Sequence, residues 1–213
     1  MRVKMKILII EPNPLLIEGY IAVLGNEKHT FLKVANGQDF FALFTKAKDL
    51  DLALITDHSM DVFERKLKTG LDCALFIKKN IPYCKIILLT EHKKVLVLYE
   101  LYKRRKVDAL LVKSDFTKEL FCDLVTATKI DFPYVSPSAK KAIQTMQKNA
   151  SLLDSKNRHI IYLLAQGYRM NQISDQILLS RSAIQKRVSK LLVAFDVKDY
   201  QELLDVLRER GIV

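Results

Sequence analysis

Leu179-Ser180-Arg181-Ser182-Ala183-Ile184-Gln185-Lys186-Arg187-Val188-Ser189-Lys190-Leu191-Leu192 has two unlike faces when wound at helical period. Ile184, Val188, Leu191 and Leu192 line one side and need a core to cover. Arg181, Ser182, Gln185, Lys186, Ser189 and Lys190 line the other, which is cationic and rich in donors. Ser180 stands where an N-cap belongs. A shorter helical segment, Asn171 to Ile177, precedes it, and the tight turn between them makes the pair a helix-turn-helix candidate. In that motif the second helix lies in the major groove, where Lys and Arg suit guanine edges, Gln suits adenine and Ser suits either. An ordinary solvated amphipathic helix has the same spacing, so the pattern alone leaves both readings open.

The surroundings of this stretch are helical too. Asp154 precedes a helix over Ser155 to Ala165, Gly167 stops it, and a last helix runs from Asp199 to Glu209. Upstream, Asp131-Phe132-Pro133-Tyr134-Val135-Ser136-Pro137 has two prolines and no period, and reads as a linker. Before it the pattern changes to short apolar runs alternating with amphipathic stretches, which predicts a parallel sheet with crossover helices. Five strands are expected: Lys6 to Ile10, Phe31 to Val34, Leu52 to Thr56, Ile86 to Thr90 and Ala109 to Val112. The expected helices begin with one capped by Asn13 with Pro14 at its first position and an apolar stripe of Leu16, Tyr20, Val23 and Leu24. The others cover Gln38 to Ala47, Leu71 to Lys79, Lys93 to Tyr102, and Phe116 to Thr128 with Ser114 or Asp115 as cap.

In doubly wound sheets, ligands bind at the carboxyl ends of the strands. Glu11, Asp57, Thr90 and Lys113 follow strands one, three, four and five. A carboxylate can accept a phosphoryl group when a cation and positioned donors hold the oxygens, and Asp57, Lys113 and Thr90 supply those parts. Each alone has a duller explanation as a cap, a strand end or a solvated lysine. Their joint placement carries the inference.

Two resemblances follow from these residues. Ile7-Leu8-Ile9-Ile10-Glu11, Asp57-His58-Ser59-Met60, Leu88-Leu89-Thr90 and Leu111-Val112-Lys113-Ser114 resemble receiver domains. Leu153 to Ile161, Leu163 to Gly167, Gln172-Ile173-Ser174 and Leu179 to Arg187 resemble the LuxR-type DNA-binding domain of NarL/FixJ response regulators. The resemblance implies a flavodoxin-like (βα)5 receiver over 1–128, a linker with its helix over 129–150, and a four-helix helix-turn-helix domain over 151–213. By motif, Asp57 is the phosphoacceptor, Thr90 the switch hydroxyl, Lys113 the phosphate partner, and Glu11 with Asp57 the metal-binding acids. Gln185, Lys186 and Ser189 fall to base edges, and Arg181, Arg187 and Lys190 to phosphates, with Ser182 beside them. Tyr200, Leu203, Leu204 and Leu207 resemble an exposed dimerisation stripe, although packing on their own domain explains them equally well.

The chain departs from these patterns in several places. Pro12 replaces the second metal-binding acid, which leaves a weak Mg²⁺ site at best because that ion needs carboxylate oxygens. Leu110 stands where a switch aromatic is common, and Met60 to Gly70 is longer than the usual loop. Asn157 replaces an acidic residue and Arg187 a histidine. Expected partners are double-stranded DNA, a sensor histidine kinase and a second copy of the chain. The expected function is DNA-binding transcriptional regulation with weakened Asp57 phosphorylation. The alternative is a phosphorylation-independent regulator whose receiver serves dimerisation or protein interaction.

Bulk properties agree with this reading. A net charge of +11 and a pI near 9.5 favour polyanionic partners. Cys73, Cys84 and Cys122 are too scattered for a disulfide frame or a zinc site, which suits a cytoplasmic protein. The apolar run at Ile7 to Ile10 is too short for a signal peptide or a membrane span. No glycine-rich phosphate loop, His-Glu-x-x-His or paired-cysteine motif supports an enzyme. Lys103-Arg104-Arg105-Lys106 is a basic run that is either solvated or an auxiliary contact to DNA or an acidic partner.

Overall fold

The computed structural model describes residues 4–44, 49–62, 67–104, 106–126 and 132–213. Two compact units emerge: Met1–Glu91 with Lys103–Ser138, and His92–Tyr102 with Ala139–Val213.

The first unit contains β1 (Lys6–Ile10), α1 (Pro14–Leu24), β2 (Thr30–Val34), α2 (Gly37–Phe44) and β3 (Leu52–Thr56). A hairpin of β4 (Ser59–Val62) and β5 (Leu67–Thr69) follows, then α3 (Gly70–Asn80) and β6 (Lys85–Thr90). After α4 (Val95–Arg104), whose residues through Tyr102 group with the second unit, come β7 (Ala109–Val112), α5 (Lys118–Thr126) and β8 (Tyr134–Val135). The main sheet is parallel throughout, in the order β2-β1-β3-β6-β7-β8. Its first five strands follow the flavodoxin-like order. Residues of β3 and β7 are buried along their whole length, as expected for strands covered on both faces.

Helix α1 starts where the sequence places it. The Asn13 side chain accepts a hydrogen bond from the Leu15 amide at 3.0 Å, and Pro14 opens the helix. Its buried stripe is Ile17, Tyr20, Ile21 and Leu24, with the expected Leu16 and Val23 only partly buried on its flanks. Each fully buried aliphatic side chain contributes about 1.5–3 kcal/mol of hydrophobic stabilisation.

Three features add to the expected pattern. The long loop after Asp57 carries the β4–β5 hairpin. The expected linker supplies a sixth strand, β8, which pairs Ala109 with Tyr134 and Leu110 with Val135. Helix α5 is capped by Thr117, whose hydroxyl accepts from the Leu120 amide at 3.2 Å, and not by Ser114 or Asp115. Lys113–Asp115 form a 3-10 turn instead. The Asp115 carboxylate accepts from the backbone amide and the hydroxyl of Ser138 at 2.8 and 2.6 Å, so it is unavailable as a cap for α5. The expected helix ends at Ala47 and Thr128, residues 63–66 of the loop, and Arg105 of the basic run lie outside the described residues.

The second unit joins residues 92–102 to α6 (Pro137–Gln147), α7 (Ala150–Leu153), α8 (Ser155–Ala165), α9 (Met170–Ile177), α10 (Arg181–Phe195) and α11 (Tyr200–Glu209). Leu96, Met146, Leu152, Ile161, Leu191, Leu203, Leu207 and Ile212 form one core cluster. Ile160, Leu164, Ile173, Ile184, Val188 and Leu204 form a second, under α9 and α10. Backbone bonds from Val95 and Leu96 to the carbonyls of Gly211 and Ile212 tie the start of α4 into this unit. Arg158 is buried with its charge answered. It donates to the Leu152 and Leu153 carbonyls and to the Glu100 carboxylate, and lies 5.2 Å from the Tyr99 ring centroid.

The dimerisation stripe expected on the last helix needs correction. Leu203, Leu204 and Leu207 are buried in their own unit, and only Tyr200 of the four is exposed. Their apolar spacing is explained by the core beneath α11.

Candidate functional sites

At the carboxyl ends of the parallel strands, one glutamate holds the centre. Glu11, directly after β1, is 2% exposed. Its Oε2 accepts from the Thr56 hydroxyl at 2.5 Å and from the Lys113 ammonium at 2.9 Å, and its Oε1 accepts from the Asn13 amide at 3.1 Å. Burial works against the charge on Glu11, but the bonds from Thr56, Lys113 and Asn13 outweigh it and hold the carboxyl below its ordinary pKa. Burial also works against the Lys113 charge, and the bonds to Glu11 and Glu91 outweigh it to raise the ammonium's pKa. Glu91 lies 3.0 Å from Lys113.

Asp57 accepts from the Leu71 amide at 3.2 Å, and its own amide donates to the Leu89 carbonyl at 2.7 Å. Thr90 is fully buried at the end of β6. The chain returning from the hairpin lies hard against this corner: a Cβ on Gly70 would sit 2.1 Å from the Thr56 carbonyl oxygen. Thus Glu11 and Lys113 meet directly, while Asp57 is fixed by backbone groups. Thr56 and Glu91 are members of the site that sequence reading missed. Each is the neighbour of a residue it did name, and the signal was a polar side chain at the end of an otherwise apolar strand.

This donor set does not fit Mg²⁺ well. Pro12 offers no side-chain oxygen, and both oxygens of Glu11 already serve protein donors, one of them a cation. Among the described residues no group of three or more His, Cys, Asp or Glu is arranged to hold a metal ion.

On the second unit, α9 and α10 meet at a turn pinned by the Ser174 hydroxyl, which donates to the Leu179 carbonyl at 2.7 Å. Leu178 takes a left-handed conformation there, with φ 51° and ψ 46°. Ser180 caps α10 by accepting from the Ala183 amide at 3.2 Å. The apolar face of α10 is buried through Ile184, Val188, Leu191 and Phe195. Arg181, Ser182, Gln185, Lys186, Ser189 and Lys190 are all exposed. Ser182 bonds Ser180 at 3.1 Å; among the described residues, the other five side chains make no hydrogen bond or ion pair to the protein.

Arg187 is the exception to the expected phosphate-contacting set. Its guanidinium turns back to α8, donating to Asn157 Oδ1 at 2.8 Å and pairing with Asp154 Oδ2 at 3.1 Å. Asp154 is also the N-cap of α8, accepting from the amides of Lys156 and Asn157. Burial opposes its charge, and the Asn157 amide, Arg187 and the Lys156 amide together hold the carboxyl below its usual range.

No family model matches the chain. It is similar to oxygen regulatory protein NreC of Staphylococcus epidermidis (strain ATCC 12228 / FDA PCI 1200), 21% identical over 221 residues that cover 98% of this chain and 99% of NreC. It is also similar to response regulator protein VraR of Staphylococcus aureus (strain Mu3 / ATCC 700698), 26% identical over 169 residues, 78% of this chain and 77% of VraR. A solved structure of two RcsB dimers bound to two parallel DNAs aligns with a TM-score of 0.64 at 18% identity, covering 97% of this chain and 98% of RcsB. The chain is thus similar to response regulators in sequence, and its fold is that of a receiver domain followed by a helix-turn-helix domain.

In this chain the two departures from the resembled pattern in the second unit are one feature. Asn157 and Arg187 stand where the family pattern has an acid and a histidine, and here they bond each other across thirty positions of sequence. Cys73 and Cys84 are fully buried, and burial pushes both thiols up to about 12, which keeps them protonated at neutral pH.

Proposed function

We propose that this chain is a response regulator that binds double-stranded DNA as a homodimer in the cytoplasm and regulates transcription, reading the major groove with α10. Gln185, Lys186 and Ser189 contact base edges, and Arg181, Ser182 and Lys190 contact the backbone. The observation that carries this reading is the outward, unengaged cationic face of α10 set on a helix whose opposite face is buried. Such a face has almost no bond to other described residues to break on binding and presents donors suited to base edges and phosphates. The net charge of +11 favours the same partner. No helix among the described residues is long and apolar enough to cross a membrane.

The test is a gel shift on duplexes enriched from a random pool, repeated over a salt series. Affinity is expected to fall steeply with salt, each neutralised phosphate contributing a slope of about 0.9 in log–log form. Enriched sites are expected to be two-fold symmetric. Absence of binding at low ionic strength would overturn the proposal.

Asp57 is the phosphoacceptor in this reading, with a sensor histidine kinase upstream and Mg²⁺ held only weakly. A second reading, regulation without phosphate, is favoured by a specific observation: Glu11 is already neutralised by Lys113, and Pro12 gives no metal-binding oxygen. Incubation with a small phosphodonor or beryllofluoride and Mg²⁺ separates the two. Stoichiometric, base-labile phosphorylation of Asp57 by the donor, or saturable beryllofluoride binding that Asp57→Asn abolishes, would eliminate the second reading; the absence of both would favour it.

A further inference from the structure

We propose that Arg187 is a positioning residue for DNA reading and not a DNA contact: its ion pair and hydrogen bond to Asp154 and Asn157 set the angle at which α10 presents Gln185 and Lys186. The inference rests on the DNA-binding reading above and deepens it.

Three observations support it. Arg187 lies one position beyond the exposed Gln185–Lys186 pair, yet its guanidinium reaches away from the outer face to the start of α8. Its two acceptors are themselves fixed. Asp154 is locked by two amides as the α8 cap, and Asn157 donates through its side-chain amide to the Ser151 carbonyl at 2.8 Å. The guanidinium therefore meets a pre-arranged pair of oxygens, and a planar fork held at such a site fixes the helix that carries it. A helix rotated by a small angle about its axis moves its outer side chains off the base edges while still leaving them near phosphates. Loss of the strut is therefore expected to cost discrimination between sequences more than overall affinity for DNA.

The experiment uses the full chain in three forms: wild type, Arg187→Gln and Asn157→Ala. The second substitution removes an acceptor of Arg187 without touching α10. Affinity is measured, well below the melting temperature, for an enriched duplex and a scrambled duplex over a salt series. The expected result is a fall of about tenfold in the ratio of the two affinities for both variants, with the salt slope unchanged. The paired exchange Asn157→Glu with Arg187→His, which restores the family's residues, is expected to recover most of the ratio.

A phosphate-contacting Arg187 gives the opposite pattern. Arg187→Gln would then weaken both duplexes alike and lower the slope by about 0.9, and Asn157→Ala would be neutral or would tighten binding by releasing the guanidinium. Either result overturns the proposal. An unchanged ratio and slope in folded variants overturns it as well, leaving Arg187 a stabilising bond only. If wild type binds neither duplex, the DNA-binding reading fails and the proposal falls with it, an outcome recognised from the wild-type arm alone.

Discussion

The two polar sites of this protein differ in where their hydrogen bonds go. At the carboxyl ends of the sheet, Glu11, Thr56 and Lys113 answer one another, and Asp57 is tied to backbone groups. On α10, five of the six outward polar side chains have no hydrogen-bond or ion-pair partner among the described residues. A buried charge must be paired or it destabilises the fold, whereas an exposed unpaired donor costs nothing until a ligand arrives. The first site is thus bound into the fold, and in the proposed reading the second is a surface for binding. Substitutions at the first should show in stability, and substitutions at the second in binding.

The largest expected break is at the closed site. Gly70→Ala would place a Cβ 2.1 Å from the Thr56 carbonyl oxygen, a clash with backbone that no rotamer relieves. We expect a loss of about 4 kcal/mol or outright failure of the first unit to fold. Urea unfolding followed by circular dichroism checks it, and a soluble variant of wild-type stability would show that the corner is not tightly closed.

Lys113→Met comes next. It leaves Glu11 buried without its cation, at an expected cost of about 3 kcal/mol near neutral pH. The sign of the pH dependence follows from the shifts. Because the Glu11 pKa is lowered by folding, its contribution is present above the ordinary carboxylate range and is lost as pH falls through the depressed value. Because the Lys113 pKa is raised, its contribution is complete below about 10.4 and is lost as pH rises through the elevated value. The difference between wild type and variant should therefore be greatest between these limits and shrink on acidification. A difference constant with pH would remove the pair from the account.

How much of this was legible beforehand differs between the two sites for the same reason. The strands, the α1 cap and the buried face of α10 are local patterns, and apolar spacing with Asn13-Pro14 or Ser180 in front of it reports them directly. The partner of a long side chain is not local. A helical wheel gives the angle of Arg187 but not the reach of its guanidinium to Asn157, thirty positions earlier. Asp115 looked like the cap of α5 because it precedes that helix, but its carboxylate serves Ser138, twenty-three positions later. The stripe of Leu203, Leu204 and Leu207 could not be divided between a partner and a core by period alone. Tyr134-Val135 is too short a strand to show alternation at all. Glu11, by contrast, was found from its place after β1, and only its engagement with Thr56 was hidden.

On the open side, Lys186→Ala should leave the unfolding curve unmoved while costing about 1–3 kcal/mol of affinity at a preferred site. This result would sharpen the contrast, since the same measurement on Lys113→Met would shift the unfolding curve strongly. A Lys186→Ala protein that is destabilised yet binds normally would reverse the assignment of the face.

The smallest effect concerns the turn that joins the two helices of the motif. Leu178 adopts a left-handed backbone conformation that costs a branched, L-configured residue about 1 kcal/mol, and glycine carries no such penalty. Its side chain is 90% exposed, so replacing it gives up little burial. Leu178→Gly should therefore stabilise the second unit by about 1 kcal/mol and raise its melting temperature by roughly 4–8 °C. DNA affinity measured alongside decides why a leucine stands there. If stability rises and affinity holds, the residue is a tolerated strain at the edge of the motif. If stability rises while affinity falls, the exposed leucine belongs to the surface for binding, and the open site extends from α10 into the turn that aims it.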